Sequence, residues 1–205
     1  MKLIVMMAAV LAALTSVCAA DGYSCSLRVG NSTATQTVSK GGEKTSRSWN
    51  SSQSSKSKTV SRAVTWPVSG SIRGEPLPSS DDVKLRCYFI GTTNGKSAML
   101  GEETKDIVLD EKGNFKLDVT SPSEKLVHTT TTTKSGGRVR WWGGHRRTSG
   151  GSTSTKSSTS GSRVTGCIMQ LTIKGKVAKA YASHPGWSTY AKADPLPEEE
   201  ILKIR

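Results

Sequence analysis

The chain has 205 residues, 34% of them hydrophobic, and a formal net charge of +13. Two stretches, residues 31–59 and 134–163, are so rich in Ser, Thr and Gly that they bury little. What remains suits one ordinary domain and argues against two.

Residues 1–20 read as a secretory leader. Met1-Lys2 is a short cationic start, residues 3–14 are an unbroken apolar run, and Thr15 to Ala20 form a polar-to-small exit with cleavage after Ala20. The apolar run rises only about 18 Å as a helix against a hydrocarbon core of about 30 Å, which disfavours a membrane anchor. Lipid attachment at Cys18 is disfavoured by Val17, where Gly, Ala or Ser is usual. No later segment is long and apolar enough to span a bilayer. The protein is expected to be secreted, periplasmic or in the cell envelope.

Residues 21–205 read as a single domain of strands with period-two alternation. Tyr23, Cys25, Leu27 and Val29 alternate with polar residues. Val83, Leu85, Cys87 and Phe89 do the same, with Tyr88 on the opposite face. Phe115, Leu117 and Val119 make a third strand, and Cys167, Met169, Leu171 and Ile173 share one face of a fourth. Such strands suit an antiparallel sheet with one face on a core and the other in water. Asn94-Gly95 fits a type I′ hairpin. Longer hairpin loops are expected at residues 110–114, between 106–109 and 115–119, and at 174–176, which makes a meander of the second half. Residues 194–205 carry prolines, then Glu198, Glu199 and Glu200, then Lys203 and Arg205. That polarity matches a short helix docking Ile201, Leu202 and Ile204 on the sheet.

The expected fold is therefore all-β: one antiparallel β-sandwich, immunoglobulin-like in general architecture, with a short C-terminal helix and two long low-complexity loops. The Cys–Trp–Cys signature of antibody domains is not carried convincingly. Trp66 lies between Cys25 and Cys87, but Pro67 stands where a central strand needs an N–H.

Residues 134–163 hold the candidate contacts. Arg138, Arg140, Arg146 and Arg147 surround Trp141-Trp142 and His145, with Gly-Gly pairs on either side and no acid. Cations that neutralise charge beside aromatics that stack suit an anionic polysaccharide or another polyanion. A solvated Gly/Ser insertion explains the same composition without a ligand. Residues 31–59 carry Lys40, Lys44, Arg47, Lys56 and Lys58 against Glu43 alone, with Trp49 among them. If both loops leave one end of the sandwich, they form a single cationic surface.

Three cysteines follow the leader, Cys25, Cys87 and Cys167, all on inward positions, so one pair among them can bridge. Three buried free thiols are the alternative. His128, His145 and His184 stand at no metal-ligand spacing, so neither a metal nor a cofactor is expected, and His128 reads as an ordinary surface or edge residue. No Gly-x-Ser-x-Gly elbow occurs. Asp81-Asp82 and Glu102-Glu103 read as solvated loop acids rather than a hydrolytic pair or a calcium site. Asn31 and Asn50 head glycosylation sequons. The sequence thus favours a non-catalytic exported module for an anionic polymer or envelope surface. A structural protein that self-associates through its tryptophans and odd cysteine ranks second, and a hydrolase with a dispersed site last.

Overall fold

The computed structural model describes residues 22–48, 51–136, 139–142, 145–148 and 151–204. The expected leader and Arg138 lie outside these residues. In chain order the strands are β1 (Ser24–Val29), β2 (Thr33–Ser48), β3 (Ser51–Arg73), β4 (Val83–Thr93), β5 (Lys96–Asp106), β6 (Asn114–Thr120), β7 (Glu124–Ser135), β8 (Val139–Trp142), β9 (His145–Thr148), β10 (Ser152–Ile173) and β11 (Lys176–Ala182). Among the described residues there is one α-helix, α1 (Glu198–Lys203), after β11. Nine strands are linked into one open sheet, and β8 and β9 form a two-stranded one. The chain divides into two units, residues 22–35, 63–123 and 163–204 in the first, and 36–62 and 124–162 in the second.

The first unit holds the core. The C-terminal half of β3 lies between β1 and β6, with Leu27 opposite Gly70 and Gly70 opposite Phe115. The C-terminal half of β10 pairs with β11 and β4, and β4 pairs with β5. The alternation read in the sequence sets much of what is buried: Cys25, Leu85, Phe89, Val119, Cys167 and Leu171 join one apolar cluster drawn from both groups of strands, and Val68 and Ile72 of β3 join it as well. Trp66 belongs to it, 5.9 Å from Phe89 in a stacked pair. Pro67 lies inside β3, opposite Asp118 of β6, and is tolerated because the β1 ladder ends at Val29 and Val68, so its missing N–H falls just past the end of that ladder. The Pro67 carbonyl still accepts from Gly30 at 2.8 Å.

The turns follow their residues. Asn94 and Gly95 both have positive φ, 51° and 81°, and Lys174 and Gly175 repeat the pattern at 49° and 80°. Each makes a two-residue hairpin, so the turn at 174–175 is tighter than the sequence reading allows. The loop at 110–114 is not a hairpin. β5 ends at Asp106, and β6 pairs with β3, which makes that connection a crossover and not part of a meander.

The second face of β4 and β10 is not in water. Tyr88, Ile90 and Ile168 pack under Trp187, Leu196 and Ile201, with Leu202 and Ile204 against the same cluster. Buried Gln170 pins this tail, its Nε2 donating to the carbonyls of Ala191 and Ala193 at 2.9 and 2.8 Å.

The second unit is a four-stranded sheet in the order β2-β3-β7-β10, built from β2, the N-terminal half of β3, β7 and the N-terminal half of β10. It corrects the expectation of flexible loops: residues 31–59 and 134–163 are largely strand. Threonine's branched side chain fits a pleated surface, and the ladders satisfy the peptide groups. The residues lack apolar alternation because both faces meet solvent, not because the backbone is free. Every residue of β2 is exposed, as are residues 152–160 of β10.

Candidate functional site

Five of the sequence-predicted contacts, Arg140, Trp141, Trp142, Arg146 and Arg147, fall on one two-stranded ladder, and Arg138 lies outside the described residues. β7 pairs with β10 from Leu126 opposite Gly161 to Ser135 opposite Ser152. β8 and β9 pair in a separate two-stranded sheet: Val139 stands opposite Thr148, Arg140 opposite Arg147, Trp141 opposite Arg146 and Trp142 opposite His145. Gly143-Gly144 separates β8 from β9 in sequence.

Register gives this ladder its chemistry. Directly opposed residues of an antiparallel pair are the closest cross-strand neighbours, and like charges at such positions oppose pairing. Arg140 and Arg147 occupy one such pair. An anion shared between two guanidinium groups would remove that opposition, since a guanidinium donates bidentate hydrogen bonds to sulfate or phosphate oxygens. The Trp141–Arg146 pair juxtaposes an aromatic position with a cationic one, the combination from which cation–π contacts and stacking surfaces are built.

The four-stranded part of the unit continues the basic character. On one face, Lys58, His128 and Thr159 form a row across three strands, and Lys56, Thr130 and Ser157 form the next. Rows on one face repeat at about 7 Å along a strand. His128 Nδ1 lies 2.9 Å from Thr159 Oγ1. The residue is on an interior strand of this unit, flanked by β3 and β10, and not on an edge. Lys56 also reaches Glu43 at 3.4 Å, both well exposed, so that ion pair is weak. Lys56 and Lys58 are separated by one residue, and this spacing is the only sequence signal that they share a face.

The remaining candidates fall in the first unit or elsewhere. Cys25, Cys87 and Cys167 are free thiols, buried in one cluster. Burial pushes the Cys87 thiol up to about 12, helped by the Glu103 carboxylate nearby. The same desolvation raises Cys167, with Cys87 adding to it, and raises Cys25 against the pull of Lys179. Among the described residues, no group of three His, Cys, Asp or Glu side chains is arranged to hold a metal ion. Asp81 and Asp82 line a small depression together with Lys84, Arg86 and Lys174, so cations stand where further oxygen ligands would be needed.

No protein-family model matches the chain, and neither a curated protein nor a solved structure matches it.

Proposed function

We propose that this is an exported, non-catalytic protein that holds a linear anionic polymer at a cell envelope or in the extracellular space. The β8–β9 register carries the reading. It assembles Arg140, Arg146 and Arg147 with Trp141, Trp142 and His145 on one two-stranded ladder, with two arginines directly opposed. A polyanion relieves that opposition, whereas a neutral ligand does not. The excess of bases over acids along the chain favours the same class of partner.

In this reading the first unit is an immunoglobulin-like sandwich that serves as a scaffold. Two observations support it. Three strands, β1-β3-β6, and four, β5-β4-β10-β11, contribute to one shared core, and the sequence crosses between the two groups as such sandwiches do. The buried Trp66 occupies the place of a core tryptophan, without a disulfide beside it. The leader supplies export.

The test is elution from a sulfated-polysaccharide matrix. Replacing Arg140, Arg146 and Arg147 by Ser is expected to lower the elution salt well below that of a control in which Lys112, Lys174 and Lys203 become Ser. Equal elution salt for the two variants would mean that net charge alone drives retention, and would end the assignment to this ladder.

A further inference from the structure

We propose that residues 152–160 of β10 form an interface with the same strand of a second copy, continuing the second unit's sheet across a two-fold axis. The inference does not depend on polymer binding.

Along an antiparallel strand, peptide N–H and C=O groups point alternately to either side. Over residues 152–160 one side is taken by β7. β11 pairs with β10 from Ile168 onward, and β4 meets β10 between Arg163 and Lys174, with Gly91 against Arg163 and the Lys174 N–H bonded to the Asp82 carbonyl. The other side of residues 152–160 therefore has no strand partner among the described residues. A row of unpaired donors and acceptors on an exposed strand is a template for another strand.

The two edges of this unit differ in how they are guarded. β2 carries Lys40, Lys44 and Arg47, with Gly41-Gly42 interrupting its side chains. Cations on an edge repel an incoming copy. Residues 152–160 read Ser-Thr-Ser-Thr-Lys-Ser-Ser-Thr-Ser, with one cation, no proline, no glycine and no slip in their register with β7. That edge keeps one register throughout and is nearly uncharged. A second copy of β2 is thus the worse occupant and a second copy of β10 the better one.

Self-pairing also has a preferred register. An axis at Lys156 would set the two lysines opposite each other. An axis at Ser157 sets Lys156 opposite Ser158 and Thr155 opposite Thr159, so that no like charges are opposed. The resulting hydroxyl pairs are of a kind this chain already makes across its own ladders: Ser26 with Ser71 at 2.8 Å, Thr65 with Thr120 at 3.0 Å and Ser135 with Ser152 at 2.6 Å. The energetic reason is also local. A polar single layer has little apolar burial to stabilise it, so further ladder bonds contribute where a core does not.

Sedimentation of the full chain tests this. The wild-type protein is expected at twice the chain mass. Thr155→Lys with Thr159→Lys sets lysine against lysine at two symmetric places, and the double variant is expected at the chain mass with an unchanged strand signal in circular dichroism. Thr155→Lys with Thr159→Glu sets opposite charges at the same places and is expected to restore the dimer. Wild-type protein at the chain mass, or a Lys/Lys variant as dimeric as wild type, overturns the interface. A Lys/Glu variant that stays monomeric overturns the register, and with it the proposal as stated.

Discussion

Arg86 meets Asp194 through a single nitrogen, Nη1, which lies 3.0 Å from each of the two carboxylate oxygens. The pair ties β4 to the C-terminal tail, yet it is not what holds the tail down. Both side chains keep contact with water, and such pairs contribute about 1 kcal/mol or less. Gln170 is fully buried, and its loss strands two carbonyls at about 1–3 kcal/mol. Ile201 is also fully buried, and truncation to Ala costs about 2–5 kcal/mol. Urea unfolding should therefore rank Ile201→Ala and Gln170→Ala as clearly more damaging than Asp194→Ala. A salt-sensitive collapse of the tail in Asp194→Ala would contradict that ranking.

What the sequence revealed follows from where water is. In β1, β4, β6 and β10 one face is apolar, so Cys25, Leu85, Phe115 and Leu171 announced both the strand and its inward side. β2 and residues 152–160 have solvent on both faces, so no alternation marks them, and their Ser/Thr content reads as linker. The Thr129–Thr133 run was the one local hint, since branched residues favour strands. The tail's cover over Ile90 and Ile168 required knowing that β4 and β10 are interior strands. At the site, the arginine–tryptophan cluster was visible in composition. That Arg140 faces Arg147 was not, because it depends on the register in which β8 pairs with β9.

Gly161 marks a position that no other residue fills easily. Its φ is +123°, and a Cβ there would stand 2.0 Å from the Lys125 carbonyl oxygen. Gly161→Ala must therefore move backbone as well as accept a disfavoured conformation, at about 1–3 kcal/mol or more. The expected readout is a lower urea midpoint and faster hydrogen exchange in residues 124–135 and 152–160. Exchange unchanged in both strands would show that the crowding at residue 161 is easily relaxed.

The buried thiols give a pH dependence with a definite sign. Cys87 is raised from an ordinary value near 9.0 to about 12 in the folded protein. Below pH 9 both folded and unfolded chains keep the proton, and the full stability is present. Between about 9 and 12 the unfolded chain loses it while the folded chain holds it, so stability falls as pH rises through that window. Cys167 acts in the same direction. Replacing Cys87 by Ala should flatten the loss of melting temperature between pH 9 and 11, and native protein at pH 8 should resist iodoacetamide until denaturant is added. Rapid alkylation of all three cysteines without denaturant would contradict their burial.

The salt dependence of polymer binding counts contacts rather than affinity. Each phosphate or sulfate neutralised by a fixed cation releases about one counterion, so log affinity falls against log salt with a slope close to the number of contacts. If Arg140, Arg146 and Arg147 each engage an anionic group, their joint replacement by Ser lowers that slope by about three. Replacing Lys56 and Lys58, on the rows beside Thr130 and His128, should lower it by about two more if the polymer runs along that face. It should leave the slope alone if the polymer is held by β8 and β9 only. Replacing Trp141 and Trp142 by Ser weakens binding without changing the slope, because stacking releases no ions. A slope unchanged by the arginine replacements would place the contacts elsewhere on the chain, whatever the change in affinity.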